Sequence, residues 1–122
     1  MSQTREQQRA ITAHAQVLKV PSGNWDKYRS ATLKAQSLVR NAGLCQALHF
    51  LQTKDDGAKL LVADLHSHLI EGRTATKADF LEQVRKADLP DYLAATRETL
   101  QCLVWQCRMV ESLKDQKKNG GA

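Results

Sequence analysis

The stretch LVRNAGLCQALHFL, residues 38–51, decides how the helices of this chain are divided. Gly43 stands at its centre, where glycine costs up to about 1 kcal/mol relative to alanine. At roughly 100° per residue, the apolar stripe after this glycine is rotated by roughly 150° from the stripe before it. The first stripe is Trp25, Tyr28, Thr32, Ala35 and Val39, and the second is Leu44, Leu48 and Leu51. Either residues 25–53 form one helix that is apolar all round, or the chain breaks or kinks at residues 41–43; the glycine favours the break or kink.

The composition is that of a single helical domain over residues 1–122. The chain has two prolines and six glycines, and Val and Ile never alternate with polar residues over four or more positions. We therefore expect an all-α fold, a compact bundle of about six helices, with a frayed tail over residues 118–122.

Turn residues mark the first helix boundaries. A helix is expected over residues 3–19, and its apolar side carries Ile11, His14, Ala15 and Leu18. The turn VPSGN, residues 20–24, ends it, and Asn24 can cap the second helix.

Similar signals delimit the later helices. KDDG, residues 54–57, ends the third helix, and a fourth is expected over 58–72. TKAD, residues 76–79, resembles a capping box that opens a short helix with Phe80, Leu81 and Val84 inward. DLPD, residues 88–91, starts a last helix to about residue 117, with Asp88 as its cap.

The last helix carries two apolar faces. One is a heptad seam formed by Leu89, Leu93, Thr96, Leu100, Leu103, Cys107 and Val110. The other, nearly opposite, is formed by Cys102, Trp105 and Met109. A helix that is apolar on both sides is sandwiched, either within its own domain or against a partner. The second stripe is therefore our candidate subunit interface.

Catalytic and metal-binding patterns are nearly absent. In HSH, residues 66–68, the two rings project roughly 200° apart on a helix, so we expect a packed His68 and a solvated His66. Asp64 and His68 could share a metal, but two ligands without a third are a weak signal. No phosphate loop, serine elbow or cysteine–histidine signature occurs. We expect no enzyme, no cofactor and no metal site, and rank a metal-dependent nuclease last.

Cysteine usage and the polar N-terminus suggest a cytoplasmic protein. Cys45, Cys102 and Cys107 lie in helical patterns, as reduced cysteines do. The first ten residues are polar, unlike a secretory signal, and no apolar run approaches the roughly 20 residues that a membrane span needs.

The net charge of +5 suits an acidic partner or nucleic acid. Phosphate contacts require positive charge without fixed spacing, although most single cations on a protein are solvated surface charge. With few aromatic residues, any RNA contact would be to the backbone and indifferent to sequence. The candidate RNA-binding residues are Arg9, Lys27, Arg29, Lys34, Arg40, Lys54, Lys59, Arg85 and Lys86.

The run YRSATLKAQSLVRNAGLCQALHFLQTK, residues 28–54, resembles the small all-helical subunit of the type III-B CRISPR effector, the Cmr complex. The residues that carry the likeness are Tyr28, Gly43, Leu44, Phe50, Leu51 and Lys54. The early Arg9 and the pattern in the last helix agree in outline; that pattern is Tyr92, Leu93, Thr96, Glu98, Leu100 and Trp105. The small subunit of type III-A complexes is also helical and basic.

The resemblance implies a non-catalytic subunit that functions in antiviral defence. It implies head-to-tail stacking of copies into a minor filament beside the backbone subunits, with the large subunit, guide RNA and target RNA as further partners and no membrane contact. Two alternatives are a type III-A small subunit and a helical protein-interaction adaptor without RNA contact.

Overall fold

The computed structural model describes the backbone of residues 2–120 and the side chains of residues 2–117. That part of the chain is all-α and has six α-helices and no strand, as predicted. The helices are α1 (Arg5–Leu18), α2 (Trp25–Ala42), α3 (Leu44–Lys54), α4 (Asp56–Glu71), α5 (Phe80–Lys86) and α6 (Leu89–Gly120), with a 3-10 turn over Ser22–Asn24. Because α6 continues through Gly120, only residues 121–122 of the predicted tail lie wholly outside the described residues.

Helices α1, α2 and α4 pack around α6. Helix α1 runs parallel to α6: Arg9 contacts Glu98 near the start of α6, and Lys117 reaches the carbonyl of Leu18. Helix α2 runs antiparallel, because Cys107 contacts the carbonyl of Thr32 while Gly43 lies beside Tyr92. The core between them is built around the fully buried Tyr28, Leu44, Leu48, Leu51, Leu61, Leu65, Leu69 and Leu103.

The predicted break at Gly43 is confirmed. Helix α2 ends at Ala42 and α3 begins at Leu44, while Gly43 adopts φ 89° and ψ 157° between them. This backbone conformation is essentially restricted to glycine. The turn lets Val39 and Leu44 both face the core although their stripes point in different directions along a straight helix.

The buried face of α1 differs from the prediction. Ala13 and Val17 are buried, whereas Ile11 is 52% exposed and His14, Ala15 and Leu18 also face outward. The inner side of α1 instead carries polar residues whose side chains donate hydrogen bonds to α4 or α6. These residues are Arg5, Arg9 and Gln16. Hydrophobic periodicity places such residues outside, because it does not register tertiary ion pairs and hydrogen bonds.

Two predicted caps are wrong and one is confirmed. The side chain of Asn24 makes no capping hydrogen bond, because a 3-10 turn leads directly into α2. Asp79, rather than Thr76, caps α5 by accepting from the N–H of Leu81 at 3.1 Å. Asp88 caps α6 as predicted and accepts from the N–H of Asp91, also at 3.1 Å.

The core-facing strip of α6 runs between the two predicted apolar faces. It consists of Ala95, Thr99, Cys102, Leu103, Gln106, Val110 and Leu113. From the heptad seam, Leu103 and Val110 are buried, but Leu89 is 68% exposed and Leu93 is 45% exposed. Helix α6 is therefore sandwiched inside the domain over most of its 32 residues, and its N-terminal end keeps an uncovered apolar edge.

Candidate nucleic-acid interface and subunit surfaces

Arg9 belongs to an ion-pair cluster between α1 and α6. Its Nε and Nη2 donate to the two carboxylate oxygens of Glu98 at 3.0 and 2.8 Å. Arg5 donates to the same carboxylate at 2.6 Å and to the carbonyl of His68 at 3.0 Å. Burial by itself would raise the pKa of Glu98, but the hydrogen bond from Arg9 and the two guanidinium charges outweigh it and lower that pKa to about 2. Arg9 is therefore largely buried, and its Nε and Nη2 are engaged by Glu98.

Four other predicted cations have partners at the surface. Arg29 contacts Glu111 on α6 through Nη2 at 2.8 Å. Lys54 contacts Asp55 at 3.0 Å, and Lys86 contacts Glu82 at 3.3 Å. Arg85 lies 3.3 Å from His49 on α3. Exposed pairs of this kind contribute little energy, so these side chains can exchange partners.

Three of the predicted lysines come together around the N-terminus of α4. Gly57 lets α4 approach α2 so closely that a Cβ there would lie 2.6 Å from Cβ of Lys27. The Asp55 carboxylate is next to Lys54 and within the field of Lys27; the N–H of Ala58 and these charges lower its pKa. Lys59 stands one turn into the same helix. We call Lys27, Lys54 and Lys59 the lysine corner.

Lys34 extends the lysine corner along α2. It lies seven residues from Lys27, on the same side of the helix, about 10 Å further on. Within the described residues, Lys27, Lys34 and Lys59 form no ion pair.

The nine predicted cations do not share one face. Arg40 points to another side of α2 than Lys34, since six residues correspond to about 240°. Arg85 and Lys86 stand at the end of α5, and Arg9 lies inside the ion-pair cluster. Phe50, on α3, is 51% exposed, a feature that the apolar pattern around residues 44–51 did not predict.

The structure separates the three residues of the predicted subunit interface. Cys102 is completely buried, and its Sγ lies 3.4 Å from Glu98, so it is absent from the surface. Burial also raises the pKa of this thiol. Trp105 and Met109 are half-buried and line an open depression on α6 together with Arg108 and Ser112. The internal contacts of Cys102 remove it from the candidate surface and leave Trp105 and Met109.

Two exposed apolar surfaces lie on different sides of the molecule. The first, the α1 ridge, consists of Ile11 and Leu18 on the outer side of α1. The second, the α2–α6 seam, consists of Leu33, Leu89, Leu93 and Val104. Leu33 follows Thr32, whose carbonyl contacts Cys107, and Val104 lies one turn before Cys107, so both are close to the same contact between the antiparallel helices. Contiguous apolar side chains at a surface are typical of interaction sites.

A buried polar chain links α2, α4 and α6. Tyr28 donates to Asp64 at 2.6 Å, Gln106 donates to Tyr28 Oη at 2.7 Å, and Gln106 Oε1 lies 2.8 Å from His68 Nε2. Burial raises the pKa values of Tyr28 and Asp64 and lowers that of His68. The chain therefore contains a neutral phenol and a neutral imidazole near pH 7.

The histidine pair is packed more fully than predicted. His68 is buried as expected, but His66 stacks on Phe80 with ring centroids 4.7 Å apart and contacts the carbonyl of Thr76. The carboxylate of Asp64 is held by Tyr28, and residues 2–117 contain no group of three or more potential metal ligands. Every helix among the described residues is too short or too polar to span a bilayer.

Comparison with known proteins identifies the family. The family model for CRISPR-associated Cmr5 proteins matches residues 5–113. The Cmr subunit Cmr5 of Thermus thermophilus is 32% identical over 111 residues, which are 90% of this chain and 96% of that protein. A crystal structure of a Cmr5 family protein from the same organism matches with a TM-score of 0.74 and 32% identity, over 91% of this chain and 98% of that one. The resemblance carried by residues 28–54 is thus confirmed, and the chain belongs to the Cmr5 family, the small-subunit family of the type III-B CRISPR Cmr complex.

Proposed function

We propose that this protein is a non-catalytic structural subunit of a cytoplasmic Cmr effector complex in antiviral defence, which contacts guide and target RNA through the phosphate backbone. Its partners are the backbone and large subunits of the complex and further copies of itself. The observation that carries the proposal is the family match over residues 5–113, together with the unpaired Lys27 and Lys59 of the lysine corner and the neighbouring Lys34.

The RNA contact is assigned to Lys27, Lys34 and Lys59. Their ammonium groups are exposed and have no carboxylate partner among the described residues, so phosphate contact would cost no existing ion pair. Arg9 is left out of this contact, because its side chain is mostly buried and its Nε and Nη2 donate to Glu98. Lys54 contributes after exchanging Asp55 for a phosphate.

The RNA contact is tested with full-length protein and a single-stranded oligoribonucleotide. Replacing Lys27, Lys34 and Lys59 by alanine should weaken binding about tenfold or more and lower the salt slope by roughly 2, at about 0.7 per phosphate contact. The matched control replaces Lys19, Lys77 and Lys114, which removes the same charge elsewhere. Equal losses in both triple variants would show that only net charge matters and would contradict the assignment.

Subunit stacking is assigned to the α1 ridge and the α2–α6 seam. Because these surfaces lie on different sides of the chain, contact between them is heterologous and continues from copy to copy. In this arrangement the α1 ridge of each copy packs against the α2–α6 seam of the next copy. The exposed Leu89 and Leu93 would then be covered in the assembly.

A mixing experiment tests this assignment. Ile11→Gln damages the ridge and Leu93→Gln damages the seam, so each variant alone should sediment as a monomer at concentrations where the unmodified chain associates. An equal mixture should form dimers and nothing larger, since one intact ridge and one intact seam remain. A mixture that stays monomeric contradicts head-to-tail stacking.

The exposed seam also favours the alternative, a protein-interaction adaptor without RNA contact. The lysine variants and the ridge and seam variants described above distinguish the RNA-contacting subunit from the adaptor. Association through the seam, combined with RNA affinity that is negligible and independent of salt, would support the adaptor.

A further inference from the structure

A cavity of about 510 Å³ separates α5 from the first turns of α6. Helix α5 packs on α3 rather than on α6, and the loop after α4 closes one side. Its lining combines apolar side chains, among them Leu69, Phe80, Val84 and Ala94, with the polar Thr74, Thr76 and Gln83. This volume lies within the roughly 300–1,000 Å³ of small-molecule sites.

Arg73, at the rim of this cavity, has an unusual backbone. Its φ of 63° makes it the one non-glycine residue with positive φ among the described residues. The preceding Gly72 is packed against Arg5, since a Cβ there would lie 2.5 Å from Arg5 Nη2. Arginine therefore occupies the left-handed position at the end of α4 that normally favours glycine. Within the described residues, the Arg73 guanidinium forms no ion pair, so its five donors remain available.

Two other charged side chains face the cavity. Lys86 adds a second cation, held only by an exposed contact with Glu82 at 3.3 Å. Asp91 supplies a carboxylate that forms no ion pair within the described chain; its backbone N–H is already bound to Asp88. The cavity thus combines an apolar slot, two cations for an anionic group and one acceptor for an amino group.

We propose that this cavity binds a single nucleotide. The base enters the slot between α5 and α6, its exocyclic amino group donates to Asp91, and the phosphate is held by Arg73 and Lys86. Carboxylates accept from such amino groups, whereas uracil has none to donate. The proposal rests on the proposed function only for the source of the nucleotide, an unpaired residue of the bound RNA.

Binding is measured on the full chain by calorimetry and amide chemical shifts, with AMP, CMP, UMP and inorganic phosphate as probes. AMP and CMP should bind about tenfold more tightly than UMP and shift the amides of Thr74 and Ala94. The affinity for inorganic phosphate should be equal to or lower than the affinity for UMP. Equal affinity for all four probes would mean a non-specific anion site and overturn the proposal.

Variants separate this site from the RNA contact of the lysine corner. Arg73→Gly relieves the left-handed backbone, so the chain should be at least as stable, yet AMP affinity should fall about tenfold with the lost charge-assisted bonds. Asp91→Ala should bring AMP affinity down to that of UMP. Replacement of Lys27, Lys34 and Lys59 should leave AMP affinity unchanged, so failure of either proposal is visible on its own. Unchanged AMP binding in Arg73→Gly would overturn the nucleotide site.

Discussion

The phenolic oxygen of Tyr92 accepts a hydrogen bond of 3.0 Å from the backbone N–H of Cys45. Helix α3 begins without a capping side chain of its own, because its N-cap residue is Gly43. Tyr92, at the end of the first turn of α6, therefore satisfies one of the unpaired N–H groups at the start of α3. The same oxygen would lie 3.3 Å from a Cβ at position 43. The break between α2 and α3 is thus tied to α6.

Tyr92→Phe tests how much the hydrogen bond between Tyr92 and the N–H of Cys45 stabilises the fold. The ring is retained while the acceptor for the N–H of Cys45 is lost, so unfolding free energy should fall by about 1 kcal/mol. Urea denaturation measures the loss, and native-state hydrogen exchange should show faster exchange at Cys45. Unchanged exchange at that amide would mean that water replaces the phenol without penalty.

Gly43→Ala should destabilise the protein by about 1–3 kcal/mol, because alanine rarely adopts the backbone conformation found here and its Cβ would crowd Tyr92. Gly23→Ala is the matched control, since a Cβ at Gly23 has no heavy atom within 4 Å. Thermal or urea unfolding of both variants gives the comparison. Similar stabilities for the two would contradict a special role for Gly43.

Gly57→Ala should be destabilising although helix propensity favours alanine. A Cβ at Gly57 would lie 2.5 Å from the backbone nitrogen of Tyr28, so α4 must move away from α2. Overpacking of this kind costs about 1–3 kcal/mol. Urea unfolding measures this loss. A gain in stability, the result expected from propensity alone, would show that the two helices separate easily.

Acid should weaken the ion-pair cluster between α1 and α6. The pKa of Glu98 is about 2 in the folded state, below its ordinary value of 4.5, so its stabilisation is complete above pH 4.5 and is lost as pH falls toward 2. A difference of this size corresponds to about 3 kcal/mol. Glu98→Gln should lose most of that stability at pH 7 and show a flatter dependence between pH 5 and 2. Parallel pH profiles for the two proteins would contradict this role.

The pH dependence of stability that Asp64 contributes should have the opposite sign to that of Glu98. Burial raises the pKa of Asp64 above the ordinary 3.8, so the stability contributed by the protonated carboxyl group is complete below pH 3.8 and is lost as the pH rises through the higher pKa of the folded state. Asp64→Asn retains an acceptor for Tyr28 without the charge and should be at least as stable as the original chain at pH 7. Asp64→Ala lacks the acceptor and should lose about 1–2 kcal/mol. A large loss in the asparagine variant, measured by urea unfolding, would mean that the carboxylate charge itself is required.

The helix divisions followed from sequence because they depend on local backbone preferences. Gly43 and Asp88 each act on residues within about one turn, so the break before α3 and the start of α6 were predicted. The cap of α5 was placed three residues early, since Thr76 and Asp79 both have the chemistry of a cap. The position at which α5 begins decides that Asp79, and not Thr76, is the capping residue.

The candidate site was less accessible to sequence reasoning. The unpaired state of Lys27, Lys34 and Lys59, and the capture of Arg9 by Glu98, depend on residues up to 89 positions apart in the chain. The exposure of Phe50 and the cavity beside Arg73 likewise depend on which helices pack together. The spacing of residues along the chain does not predict these contacts between distant helices.

The order of the residues is sufficient to specify an all-α chain, its division at Gly43 and its membership of a family, because these depend on local backbone preference and on residues read in order. The inner face of each helix, by contrast, is set by packing between helices. Helix α1 turns Arg5 and Arg9 inward and Ile11 outward, since Glu98 on α6 supplies the carboxylate that pairs with both guanidinium groups. Ion pairing between distant helices overrides hydrophobic periodicity there.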